Sequence, residues 1–328
     1  MIEQIRENLY RIEIPLPQNP LKALNSYFIR GTDRNILIDT GFNRDECRAA
    51  MDQAIKTLDI SLENTDLFIT HIHSDHSGLA GYLTRPGNKI YTGLYTKQGL
   101  CGSSNMANYF EDLIKQSGLI EMGVTTDIMI HPGYRYRSVP VSNLIAVQDD
   151  TVIRVGDFAL QCINTTGHAP DHICLYDAKH KILFSGDHIL GGITPNNTIW
   201  GVPWTIQVDY LGEYFKSLDI IDALDVELTL PGHRGILSDC HGRIKELKIH
   251  HDNRLDSILD ILGTRSMTGA EVASEMEWDI DIKSWQQFPW AQKLFAAGEA
   301  LSHLTHLVFK GIVDKCLKNG IVYYQKTL

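Results

Sequence analysis

The stretch Phe68-Ile-Thr-His-Ile-His-Ser-Asp-His-Ser-Gly-Leu79 places His71, His73, Asp75 and His76 within six positions. It continues the apolar run Asp66-Leu-Phe-Ile-Thr70, which has the length and composition of a short buried strand. A strand that ends in crowded imidazoles has two readings, a histidine-rich polar loop or a set of metal ligands. The rest of the chain decides between them. His168 stands in Asn164-Thr-Thr-Gly-His168, Asp187 in Leu183-Phe-Ser-Gly-Asp187, and His233 in Leu228-Thr-Leu-Pro-Gly-His233. Each follows a strand-like run and a glycine. In α/β sheets the ligand crevice forms outside the carboxyl ends of strands, so several such ends can bring His and Asp to one place. Imidazole and carboxylate without thiolate suit zinc, manganese or iron.

Working outward, the first forty residues read as strands, with Leu9–Leu16 alternating and two more strands around the turn at 31–35. A helix is expected near 43–58, with Ala50, Ala54, Ile55 and Leu58 on one face. After the histidine cluster, residues 76–85 read as one helix closed by Pro86 and Gly87. Residues 104–140 break the pattern and read as a helical lid or insertion. Within it, Tyr134-Arg-Tyr-Arg137 reads as a solvated basic face, with a grip on an anionic group as the alternative. Strands resume at 151–187 and again near 226–231, which gives an α/β (α+β) architecture. From about residue 238 three amphipathic helices are followed by a hairpin with an Asn319-Gly320 turn, a type I′ signal. The expected division is therefore a domain at 1–237 and a winged-helix-like, three-helix domain at 238–328.

The composition is that of a soluble globular protein, with 43% hydrophobic and 21% charged residues among 328. The formal net charge of −10 argues against phosphate-backbone binding over the whole surface. Residues 238–328 carry 11 Lys and Arg against 12 Asp and Glu, a balance of −1 and not the basic patch of a DNA-reading helix. Leu294, Ala297, Leu301, Leu304 and Leu307 read instead as core or a partner surface, so packing or homodimer formation is favoured over nucleic-acid binding. No apolar run approaches the roughly 20 residues of a membrane helix, and the charged start lacks a signal-peptide core. The six cysteines contain no Cys-x-x-Cys pair and read as reduced packing thiols, in keeping with a cytoplasmic protein.

The run His71-x-His73-x-Asp75-His76, followed in order by His168, Asp187 and His233 and preceded by Ile36-Leu-Ile-Asp39, resembles the metallo-β-lactamase superfamily over about residues 8–237. The resemblance implies an αββα sandwich with the site at one edge. It implies two divalent ions, zinc first with manganese or iron as alternatives. His71, His73 and His168 would hold one ion, Asp75, His76 and His233 the other, and Asp187 would bridge them. Asp39 would orient the ligands, and Asp75 or Asp187 would shuttle the proton. β-Lactamases of the superfamily often carry cysteine where Asp187 stands, which favours the hydrolase, glyoxalase-II-like branch. The reaction implied is attack of a metal-bridged hydroxide on the carbonyl of a small thioester, ester or lactone. A metal-dependent ribonuclease and a mononuclear iron persulfide dioxygenase are the alternatives. The loop 191–204 follows Asp187 directly, so Trp200 and Trp204 are expected either as apolar walls for substrate or as loop packing. His172 and His188 flank ligands and are left outside the metal set. His131, His180, His241, His250, His251, His303 and His306 read as solvated or core histidines.

Overall fold

The computed structural model describes residues 1–102, 106–124, 132–200, 208–279 and 284–327. Trp204 and His131, and parts of the expected lid, lie outside the described residues. Two sheets stack face to face. The first has seven strands in sequence order: β1 (Ile2–Arg6), β2 (Leu9–Pro15), β3 (Ala23–Ile29), β4 (Asn35–Ile38), β5 (Thr65–Phe68), β6 (Ile90–Thr92) and β7 (Leu144–Ala146). Its early pairs are antiparallel, and β4 to β7 run parallel. The second sheet comprises β8 (Val152–Val155), β9 (Phe158–Asn164), β10 (Ile173–Asp177), β11 (Ile182–Gly186) and β12 (Leu228–Pro231), with β11 and β12 parallel.

Two-residue periodicity assigns each strand residue to a layer. Ile173 and Leu175 of β10 and Ile182 and Phe184 of β11 face the core between the sheets, where they meet Tyr27, Ile29, Ile36, Ile38 and Phe68. The alternate residues Cys174, Tyr176 and Leu183 face an outer core formed with Leu211, Tyr214 and Leu218 of a helix at Tyr210–Asp222. On the other side, Phe28, Leu37 and Leu67 pack on Met51 and Ala54 of α1 (Asp45–Thr57). The result is the expected αββα sandwich.

The segment after His73 is not one helix. It forms two short ones, α2 (Ser74–Ser77) and α3 (Ala80–Leu83), separated where Gly78 closes on the chain. A β-carbon on Gly78 would lie 2.6 Å from the Gly41 carbonyl and 2.7 Å from the Asn43 nitrogen, so this residue must be small for α2 to dock on the turn after β4. Next come α4 (Leu94–Leu100), α5 (Met106–Gln116) and α6 (Pro132–Arg135), the last a single turn. The sequence reading also passes over α7 (Tyr210–Asp222).

The C-terminal region contains α8 (Cys240–Leu262), β13 (Met267–Thr268), α9 (Gly269–Glu275), α10 (Trp290–Phe309), β14 (Val313–Lys318) and β15 (Ile321–Lys326). Thr268 and Glu271 form a reciprocal capping box at the start of α9. The hairpin turn has φ of 53° at Asn319 and 83° at Gly320, as a type I′ turn requires. Leu294, Ala297, Leu301, Leu304 and Leu307 of α10 are all buried within the chain. Ile114, Leu119 and Val124 of the insertion belong to the same core, and the Ala270 N–H donates to the Ser117 carbonyl at 2.9 Å. This part of the insertion is thus anchored on the C-terminal helices and does not stand apart as a lid.

Candidate metal centre

The proposed ligands gather at one edge of the sandwich, on strand ends and on the short helix that follows β5. Asp39 follows β4, His71 and His73 follow β5, His168 follows β9, Asp187 follows β11 and His233 follows β12. Asp75 and His76 sit on α2. The structure brings all seven proposed ligands together. His73 Nδ1 lies 2.9 Å from His71 Nε2 and 3.0 Å from His168 Nε2, so three ring nitrogens converge. Beside them, His76 Nε2 lies 3.3 Å from His233 Nε2, and His233 Nε2 lies 3.4 Å from Asp75 Oδ2. Asp187 stands between the two groups. Its Oδ1 is 3.3 Å from His76 Nε2 and 3.5 Å from His233 Nε2, and its Oδ2 is 3.7 Å from His168 Nε2.

The far nitrogens of these rings are held by the fold, and those bonds set which nitrogen is bare. His76 Nδ1 donates to Asp39 Oδ2 at 2.7 Å, His233 Nδ1 to the Ala23 carbonyl at 2.7 Å, and His168 Nδ1 to the Asn196 carbonyl at 2.8 Å. The Thr70 hydroxyl donates to Asp39 Oδ2 at 2.8 Å and is left to accept from His71 Nδ1 at 3.0 Å. Asp39 has φ of 57°, and its Oδ1 accepts the Thr70 N–H at 2.9 Å, so it ties β4 to the start of the histidine loop.

Three contributors support the ligands: His172, which the sequence reading leaves outside the metal set, and two that it does not single out. The backbone N–H of Asp187 donates to His172 Nε2 at 3.1 Å, and His172 Nδ1 is held by the Thr165 hydroxyl at 2.7 Å. His172 thus stays outside the donor set and positions Asp187. Thr70 is the second. Asn25 is the third: its Nδ2 donates to the carbonyls of Pro231 and Arg234, 3.0 and 2.9 Å away, and clamps the turn that carries His233. The available signal for Asn25 is the polar pair Asn25-Ser26 inside a mostly apolar strand.

The electrostatics divide the site in two. Burial lowers His71, His73 and His168, with His73 pushed down to about 3 by burial and the neighbouring His168. Burial also opposes charge on His76 and His233. There Asp187 outweighs it, helped by Asp39 for His76 and by Asp75 for His233, and both rings are raised. Burial would raise the two carboxylates, but the surrounding histidines win. Asp187 is held well below its usual range by His233 and His76, and Asp75 is brought to about 2 by His233 and His76.

The residues fit divalent ions. Five imidazoles aim nitrogens at one another in a buried space beside two carboxylates, an arrangement that suits shared cations. Asp187 Oδ1 is buried and accepts no hydrogen bond. Three groups of donors meet the spacing of a metal site: His71, His73 and His168; His71, His76 and Asp187; and Asp75, His76 and His233. Trp200 lies at the mouth. Its ring stacks on His73 with centroids 5.1 Å apart, and its Nε1 donates to the His168 carbonyl at 3.2 Å. The run Tyr134–Arg137 is also close by. The Ser74 hydroxyl donates to the Gly133 carbonyl, and the Asn43 N–H to the Tyr136 carbonyl at 2.9 Å. Arg135 and Arg137 are exposed and, among the described residues, face no carboxylate within ion-pair distance.

The model of the Metallo-beta-lactamase superfamily matches residues 21–233. The chain is similar to the Acyl-coenzyme A thioesterase MBLAC2 of Bos taurus, at 29% identity over 230 residues, covering 64% of this chain and 72% of that protein. It is similar to the Atrochrysone carboxyl ACP thioesterase of Emericella nidulans, at 22% identity over 74% of this chain and 61% of that protein. Among solved structures, the metallo-beta-lactamase family protein TTHA1429 of Thermus thermophilus aligns with a TM-score of 0.84 at 25% identity, covering 99% of this chain and 100% of that one. That likeness includes the C-terminal helices and hairpin.

Proposed function

We propose that this chain, which belongs to the Metallo-beta-lactamase superfamily, is a two-metal thioesterase that hydrolyses acyl thioesters. The observation that carries the reading is Asp187, whose two oxygens are divided between two complete donor sets. His71, His73 and His168 would hold one ion, Asp75, His76 and His233 the other, with zinc the first expectation. Two such ions, when bound, lower the pKa of water towards neutrality and polarise a carbonyl.

This chain's own residues do the rest. Asp39, Thr70, Asn25 and His172 fix the planes of the donors, so little reorganisation is needed during reaction. Trp200 gives the acyl carbon an apolar wall against His73. Asp75 is the carboxylate placed to pass on the proton released as water adds to the carbonyl. As the C–S bond breaks, the sulfur leaves as a stable thiolate, so no strong general acid is required. The buried thiols of Cys47, Cys162 and Cys174 are not the nucleophile in this reading, because burial pushes Cys47 up to about 11 and the other two to about 12.

The names of two relatives, one a coenzyme A thioesterase and one a carrier-protein thioesterase, favour thioesters over the esters, lactones and RNA of the wider superfamily. Both carriers end in an anionic phosphopantetheine arm, and Arg135 and Arg137, stacked on Tyr136 and Tyr134, are exposed cations in the run that packs beside α2. Residues 238–328 form a winged-helix-like unit in this reading, and its role is packing. Free-thiol release from acyl-coenzyme A should require metal and stop on chelation. Cleavage of single-stranded RNA with inert thioesters would replace the thioesterase reading with the nuclease one.

A further inference from the structure

A buried chain of polar side chains runs from the C-terminal helices towards the metal centre. His303 Nδ1 on α10 faces the Glu299 carbonyl at 2.8 Å. His303 Nε2 faces His251 Nδ1 on α8 at 3.0 Å, and His251 Nε2 faces Asn197 Nδ2 at 3.2 Å. Asn197, His251 and His303 are all fully buried. The carbonyl end sets the direction of the whole chain. A carbonyl only accepts, so His303 Nδ1 carries the proton and its Nε2 is a bare acceptor. His251 must then donate from Nδ1 and accept at Nε2, which requires Asn197 to present its amide NH2. Neutral rings satisfy every link, and burial holds both neutral: His303 is pushed down to about 3, and His251, also beside His303, well below its usual value.

The chain ends one residue from the metal site. The carbonyl of Asn196 accepts from His168 Nδ1, and Trp200 donates to the His168 carbonyl while stacking on His73. Between them, Thr198 lies so close to α10 that a β-carbon on Gly298 would be 2.2 Å from its Oγ1. Residues 196–200 are therefore gripped by α8 and α10 on one side and contact two proposed ligands on the other.

We infer that Asn197, His251 and His303 are positioning residues for the metal centre, through which the C-terminal helices set the ring plane of His168 and the placing of Trp200. The inference rests on reading His71, His73 and His168 as a ligand set. Outer-shell partners of ligating histidines typically govern about 10–100-fold in metal affinity or activity. A core role alone would leave that affinity untouched in the folded protein.

The test uses the full chain with His251→Phe, which keeps a ring and removes both nitrogens, and Asn197→Ala as the milder variant. Each is titrated with zinc against a chromophoric chelator, and the absorption of its cobalt(II) form is recorded beside thermal unfolding. The expected result is cooperative unfolding in the variants, about 10–100-fold weaker binding of one ion and a shifted cobalt spectrum. Wild-type affinity and an unchanged cobalt spectrum in a folded variant overturn the inference. If His251→Phe fails to fold, Asn197→Ala decides by the same two measurements. A wild-type chain that binds neither zinc nor cobalt overturns the metal reading itself, and the inference with it.

Discussion

At the scale of single residues, Asp187 and Asp39 separate ligation from orientation. Asp187 faces both donor sets, so Asp187→Ala should weaken both ions, whereas His71→Ala should weaken only the first; metal analysis after dialysis against a weak chelator distinguishes them. Equal metal content in wild type and Asp187→Ala would contradict the bridging role. Asp39 offers a cleaner substitution. Its φ of 57° is one that asparagine tolerates, so Asp39→Asn keeps the turn and changes the acceptor shared by His76 and the Thr70 hydroxyl. The expected effect is about 10–100-fold in metal affinity or activity with near-normal thermal stability. A purely structural Asp39 would show the reverse, a loss of stability with normal affinity. The seven proposed ligands are legible in the sequence because each lies in a polar turn that follows an apolar strand-like run. His172 is legible only as a neighbour outside the metal set, and Thr70 and Asn25 are not legible, because their role lies in what they touch across 31 to 206 positions of chain.

At the scale of elements, the strand ends matter more than the strands. Gly186 ends β11 with φ of 48°, and a β-carbon there would lie 2.6 Å from His172 Nε2. Gly186→Ala should therefore break the bond that holds the Asp187 N–H and lower kcat while leaving the sheet formed, as circular dichroism would report. The helices were harder to read. Residues 76–85 have helical composition, but the docking of Gly78 on the turn after β4 splits them into α2 and α3. For the Tyr134–Arg137 run, the expected outcome of an Arg135→Ala, Arg137→Ala double variant is a raised KM for acyl-coenzyme A and little change for an uncharged short thioester. Equal KM values for both substrates would assign the run to a solvated face. At α9, Thr268→Ala removes one half of the capping box and should cost roughly 1 kcal/mol in thermal or denaturant unfolding.

For the molecule as a whole, the order of motifs along the chain carried the family resemblance that implied the αββα sandwich and the edge that holds the site. The placing of the C-terminal region was not legible, since amphipathic patterning in α10 shows that Leu301 and Leu304 are buried but not against what. The structure buries them with Ile114 and Leu119 of the insertion, and turns His251 and His303, which read as ordinary core or solvated histidines, towards the loop beside His168. Removing residues 238–328 should therefore expose that shared core and cause aggregation, visible in light scattering. The most direct test of the account is elemental analysis of the purified full-length protein, paired with thiol release from an acyl thioester before chelation, after chelation and after zinc is restored. The account predicts up to two ions per chain, with activity lost when they are removed and regained when they return. Undiminished thioester hydrolysis by the metal-free protein would contradict it.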